Sequence, residues 1–449
     1  MRMSEHSRRL WSLAWRQSAL TVVLFASSLP ASAATYHVAP PPLGNDANPG
    51  TAGQPWATLQ HAADVVAPGD EVVVQPGTYQ GMHLTTDGTA ALPITFRAAA
   101  PGVVVDTDNP TTPDGINLEG ASWIVVEGFE VTGVTRAGIR AVLCNDVVIR
   151  GNTLTDNGVW GILTGFCDDL LIEDNLSSGA IVEHGIYVSN SGDRPVIRGN
   201  LIWSNNANGI HMNGDASLGG DGIISDAVVE QNVIWDNGDA GGSGINMDGV
   251  QDSVIRNNLI YDTHASGISL YQIDGGGPST GNRVIGNTVL VASDGRWALN
   301  IQDGATGNFV RDNILHSAHS FRGALSISAD SLPLDSDHNA MEDRVSVDGG
   351  NSAITFAQWQ ATSGQDGSSF IADPATLFVD PGTGDYSLAP GSDAIDAGVD
   401  LGDLSEDLFG TVRPQGLATD IGAIEDTGGL VFEDGFESGD SSAWSSTTP

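Results

Sequence analysis

The chain has 449 residues and carries 17 basic against 56 acidic side chains, a formal net charge of -39, with every basic residue an arginine. That balance excludes a protein that grips nucleic acid or an anionic membrane through a basic face, and it excludes a catalytic lysine. With 57 Gly, 40% hydrophobic and only 16% charged residues, it is too apolar for a disordered acidic chain and too interrupted for a helical one.

The first predicted element is a leader. Arg2, Arg8, Arg9 and Arg16 precede an apolar run at 19–29, and Ala31-Ser32-Ala33 supplies an A-x-A cleavage signal. The run is too short to span a bilayer, and no later stretch reads as a membrane span. The expectation is a signal peptide over 1–33 and a mature chain that is secreted, periplasmic or at the cell surface. Next, residues 56–66 read as a short amphipathic helix and GDEVVVQPGTY as a strand. A helix there covers the open end of a stack of coils.

A repeat comes next. Gly-Ile recurs at 115, 138, 161, 185, 209, 244 and 267, with degenerate copies at Ala298-Leu299 and Ala324-Leu325. The steps are 23, 23, 24, 24, 35, 23, 31 and 26 residues. A second apolar run comes after each copy and ends in Asn at 152, 175, 200, 232, 258, 287 and 313, with Phe129 in the first copy. Each unit holds about three short strands and cannot bury its own apolar face, whereas stacked units share a core. The predicted fold is all-β: a right-handed parallel β-helix over 34–345 with a short N-terminal capping helix. Asn at one fixed bend suits a stacked ladder and the left-handed backbone region. Residues 346–429 form a C-terminal segment after the coils, and 430–449 an acidic, Ser-rich tail.

Strand alternation turns every second residue outward. With the Ile of each Gly-Ile inward, one outward column reads Asn117, Arg140, Leu163, Tyr187, His211, Asn246, Ser269, Asn300, Ser326. A second reads Glu119, Val142, Gly165, Ser189, Asn213, Asp248, Tyr271, Gln302, Ser328. From Tyr187 to Gln302 the strip is polar and aromatic. The Gly209 and Gly267 coils are lengthened just after it, and insertions in solenoids gather on binding faces. The expectation is a groove between two loops. His184, His264 and Trp297 stand at its rim, while His316, His319 and His338 lie outside it.

The opening YHVAPPPLGNDANPGTAGQPWATLQHAADVVAPGDEVVVQPGTY and the coils after it resemble the pectate-lyase-like superfamily of secreted right-handed β-helix proteins. The stretch 386–425 is similar to segments found after such β-helices in exported bacterial proteins. The resemblance implies a carbohydrate-active protein, and an acidic polysaccharide as substrate. Many such lyases use calcium with Lys or Arg as base. Here the strip supports β-elimination with His211 as base, Tyr187 or Tyr271 as acid, and Asn213 and Asn246 as carboxylate donors, with His184, Trp297 and Asn300 contacting sugar. An epimerase would use the same groups. An inverting hydrolase would need two carboxyls, Asp248 with Asp215 or Asp274. A non-catalytic carbohydrate-binding or adhesion β-helix would use the strip for stacking alone.

Cys144 and Cys167 each lie six residues after their Gly, so they share a position on adjacent coils and are predicted to be bonded. Calcium is the one expected cofactor, with Asp215, Asp221 and Asp274 as ligands and a raised melting temperature as its sign. No organic cofactor or nucleic-acid partner is expected, and the protein is expected to be a monomer.

Overall fold

The computed structural model describes residues 33–428. The predicted leader, save Ala33, and the acidic tail lie outside the described residues. Three long parallel sheets run the length of a solenoid, two of 12 strands and one of 11 among the described residues. The first sheet runs from Thr35–Val38 to Asp335–Asp337, the second from Met82–Leu84 to Val345–Ser346, and the third from Gly77–Gln80 to Phe370–Ile371. Each coil contributes one strand to each sheet, as the repeat predicts.

The core is the inward column of every strand. In the second sheet Ile139, Ile162, Ile186, Ile210, Ile245 and Ile268 are fully buried and pair in register down the stack. The helix Leu59–Val65 buries Leu59, Ala62 and Ala63 over the first coils, and the Thr58 side chain caps it by accepting from the His61 N–H.

The bend asparagines form the predicted ladder. Asn152, Asn175, Asn200, Asn232, Asn258, Asn287 and Asn313 each donate Nδ2 to the next Asn Oδ1 at 2.9–3.1 Å, ending at Asn339. Each also donates to a backbone carbonyl about one coil back, as Asn175 does to Ile149, so buried amides stay satisfied. One detail differs from expectation. The left-handed residue is the one before the ladder Asn, such as Asp174 at φ 56° or Gln231 at φ 55°. The Asn is there for its side-chain amide, not for its tolerance of positive φ.

The first sheet gathers four of the arginines into one column. Arg97, Glu127, Arg150, Glu173, Arg198, Glu230 and Arg256 succeed one another in register as an alternating outward column. Ion pairs join them, including Arg150–Glu127 at 2.9 Å, Arg198–Glu173 at 2.8 Å and Arg256–Glu230 at 2.7 Å. Each exposed pair is worth only about 0–1 kcal/mol, but a one-coil slip would set like charges side by side.

Cys144 and Cys167 are bonded across adjacent coils, with Cα atoms 4.7 Å apart. Reducing this link, which spans 23 residues, is expected to lower the unfolding free energy by about 3 kcal/mol. An unchanged urea midpoint after reduction would contradict that.

The solenoid does not stop at 345. Phe370–Ile371 pairs with Ala340–Met341 and extends the third sheet. The chain then packs back along the coils through Leu377, Phe378 and Leu388 against Ile314 and Ala340. Buried Asp312 accepts from the Val399 N–H at 3.2 Å, and burial pushes its pKa up to about 7. Burial likewise pushes Asp420 up to about 6. Both carboxyls hold protons above the unfolded carboxylate range, so the folded state binds more protons between about pH 4 and 7. Their stabilising contribution is therefore present in acid and lost as pH rises through that window. Asp312→Asn is expected to flatten the fall in melting temperature between these pH values, and an unaltered slope would contradict it.

Candidate functional site

The outward columns of the second sheet stand as alternation predicts. Leu163, Tyr187, His211, Asn246, Ser269 and Asn300 are successive register partners, and Asn213, Asp248 and Tyr271 form the parallel column.

Around His211 a hydrogen-bond chain fixes where the protons sit. The Ser243 N–H donates to Asn208 Oδ1 at 2.6 Å, which turns Asn208 Nδ2 toward His184 Nδ1 at 3.2 Å. The Asn208 backbone N–H points at the same Nδ1 at 3.3 Å. Two donors at Nδ1 leave the His184 proton on Nε2, which lies 3.0 Å from His211 Nδ1. His211 then carries its own proton on Nε2, a buried atom with no partner among the described residues. This tautomer is assigned from the network. Burial lowers the pKa of His184 to about 2, helped by His211, and that of His211 to about 4, so both rings are neutral near pH 7. A base at His211 needs a free lone pair on the outward nitrogen. The chain supplies a donor there instead.

The tyrosines are also set as donors. Asn213 Nδ2 donates to Tyr187 Oη at 3.3 Å and Asn246 Nδ2 to Tyr271 Oη at 2.9 Å. Each oxygen already accepts a hydrogen bond, so each O–H is free for a ligand. Burial raises both phenol pKa values, and Asp248 adds to the rise at Tyr271. Tyr187 stacks on His211 with ring centroids 5.0 Å apart.

The aspartates do other work. Asp248 is buried, and its carboxylate accepts the Ile273, Asp274 and Gly275 N–H groups at 2.8–3.0 Å. It anchors the second insertion and is committed there, which disfavours its pairing with Asp215 or Asp274 in hydrolysis. Asp215 accepts from the Ser217 N–H and Asp221 from the Ile223 N–H, each closing its own turn. Among the described residues no group of three or more His, Cys, Asp and Glu side chains is arranged to hold a metal ion.

The two insertions do not flank a groove. They meet, through Ala216 N–H to Asp274 O at 3.0 Å and Gly276 N–H to Gly222 O at 2.7 Å. The coil between them has no insertion, and Gly275 sits against Gly249 so closely that a Cβ on Gly275 would lie 2.6 Å from the Gly249 Cα. The joined loops make one wall.

The space lies beyond that wall. A cavity of about 440 Å³ opens over Asn246, Ser269, Tyr271 and Asn300, with Trp297, Gln302 and Asp303 also lining it. Arg296 and Arg322 line it as well. Among the described residues every other arginine lies within 4.0 Å of a carboxylate. The Arg322 guanidinium donates to the Gly295 carbonyl, at 3.1 Å. Burial and then its neighbour Arg296 lower its pKa. Asp303 has its pKa raised, chiefly by burial. Strand alternation does not reach these three, because they stand in turns. One signal was present: each arginine lies two residues before its degenerate copy, so the two share a position on adjacent coils. His264 is drawn elsewhere, between Asp236 and Asp294.

Three parallel sheets wound coil on coil make this a parallel β-helix. The chain belongs to the Pel9A-like right-handed β-helix family, whose model matches residues 36–269. Residues 222–326 also match the family described as periplasmic copper-binding protein NosD. The crystal structure of pectate lyase Pel9A is similar at 20% identity and a TM-score of 0.53, covering 88% of this chain and 97% of that one. An alginate lyase from Paenibacillus is 24% identical, with a TM-score of 0.45 over 56% of this chain and 90% of that one. An uncharacterised Bacillus subtilis protein, YwoF, is 29% identical over 164 residues, 36% of this chain. This chain spans 27% of the length of YwoF. At these identities the solved structures speak for the fold, a right-handed parallel β-helix. Among the described residues no helix is long and apolar enough to cross a membrane.

Proposed function

We propose that the protein is exported and cleaves an acidic, uronate-containing polysaccharide by β-elimination, with the reacting sugar in the 440 Å³ cavity. One observation carries this reading. In a chain of net charge -39, the two arginines without a carboxylate partner among the described residues line the same cavity, and the groove beside it presents N–H and O–H donors. That is a receptor for a carboxylate.

Elimination breaks the C5–H bond and the C4–O bond of the uronate and leaves a C4=C5 double bond. Arg296 and Arg322 hold the sugar carboxylate and stabilise the charge that develops on it as the C5 proton leaves. Asp303 takes that proton, since burial makes its carboxylate more basic than an ordinary one. Tyr271 gives its proton to the departing oxygen. The Asn246 amide holds the phenol oxygen, and burial keeps the phenol protonated at neutral pH.

Tyr271→Phe and Asp303→Asn are each expected to lower kcat by about 10²-fold or more with substrate affinity kept. Activity is expected to fall as pH drops through a value above that of an ordinary aspartate, where Asp303 becomes protonated. Full turnover in either variant, or an acid limb that survives in Asp303→Asn, would overturn these roles.

A further inference from the structure

The groove has a second end of opposite character. Up the stack from His211 lies a cavity of about 380 Å³ lined by Trp160, Leu163, Phe166, Tyr187, Leu143 and Leu218. Leu143 is 61% and Leu218 64% exposed, which is costly surface to leave in water unless something covers it. Leu218 comes from the short helical turn Ala216–Leu218 in the first insertion, so the same loop that walls the groove also roofs this cavity. Trp160 and Tyr187 stack with centroids 5.8 Å apart, and the Trp160 N–H is turned aside to Glu183. The one cation in the lining, Arg140, is neutralised by Glu119 at 2.9 Å. Nothing here attracts a carboxylate.

The two cavities share one strip. Tyr187 lines the apolar one, Asn246 lines the cationic one, and His211 stands between them in register. At about 4.8 Å per coil, the Leu163 and Asn300 coils are about 25 Å apart, a few sugar residues. We infer that this apolar cavity is a distal subsite for a sugar residue bearing a methyl-terminated substituent, such as an O-acetyl group or a methyl ester. The substrate is then a decorated polyuronate in which a free uronate and an esterified residue lie a few sugars apart. This rests on the uronate-polysaccharide reading above.

The test is binding of polygalacturonate, alginate and polyglucuronate, each bare and partly acetylated or methyl-esterified, with acetylated xylan as a neutral arm. At least one decorated polyuronate is expected to bind about tenfold more tightly than its bare form, the worth of one well-placed small apolar group. Trp160→Ala with Leu163→Asn should bring that ratio to one while leaving affinity for the bare polymer unchanged. Leu218→Asp, on the exposed turn, should do the same without touching the coils. Equal binding of bare and decorated polymers, or a preference that survives both variants, overturns the inference. Acetylated xylan bound through Trp160 while no polyuronate binds would keep the subsite and overturn the uronate reading. No binding of any polymer overturns both.

Discussion

Arg296→Ala and Arg322→Ala are each expected to lower kcat/KM on the preferred polyuronate by about 10²-fold, with a larger loss in the double variant. The two guanidiniums are the charges that meet the substrate carboxylate, and no nearby lysine replaces them. The melting temperature should stay nearly constant, because Arg296 is exposed, Arg322 half-buried, and neither is ion-paired among the described residues. Removing two adjacent like charges costs the fold little. Loss of activity with loss of fold, or full activity in the double variant, would remove the basis for placing the reacting sugar there.

The largest effect on stability is expected at Arg413. Its guanidinium is fully buried, 3.0 Å from fully buried Glu425 and donating to the carbonyls of Asp420 and Gly422. Glu425 in turn accepts from the Gln415 and Asp420 N–H groups, and Gln231 and Asn257 of the solenoid reach the same segment. Arg413→Met leaves a carboxylate buried without its charge partner, which costs about 3–5 kcal/mol. Arg413→Met with Glu425→Gln should recover part of that loss. Urea unfolding with limited proteolysis of residues 372–428 reads both. A cost under about 1 kcal/mol for the single variant would mean that the pair does not fasten the segment.

These two sites differ in how they show in the sequence. The coil register was legible, because a period of two within strands and of about 24 between coils leaves only one way to bury the Ile column. The Cys144–Cys167 pairing and the Asn ladder come from the same period. The outward strip from Tyr187 to Tyr271 was therefore placed correctly in space. Its chemistry was less legible. His184 precedes its strand, and its ring joins His211 through contacts that start at Ser243 and Asn208 on other coils, so the tautomer is a property of three turns together. Asp248 looked like a free carboxylate until the second insertion folded onto it. Arg296 and Arg322 sit in turns, where strand alternation says nothing. Their shared offset before Ala298 and Ala324 was the available clue, hidden because those copies lack the Gly-Ile signature. The solenoid also ran past 345, since Phe370–Ile371 pairs after a long excursion that breaks the period.

The most direct test of the central claim is incubation of the mature protein with the bare and esterified polyuronates while tracking ultraviolet absorbance and reducing ends together. Both are expected to rise in step, because each cleavage creates one new reducing end and one C4=C5 unsaturated uronate. Reducing ends without absorbance would mean hydrolysis. Inverted uronate configuration without chain cleavage would mean epimerisation. Tight binding with neither would mean a carbohydrate-binding solenoid, and each of these results would contradict β-elimination at Arg296, Arg322, Asp303 and Tyr271.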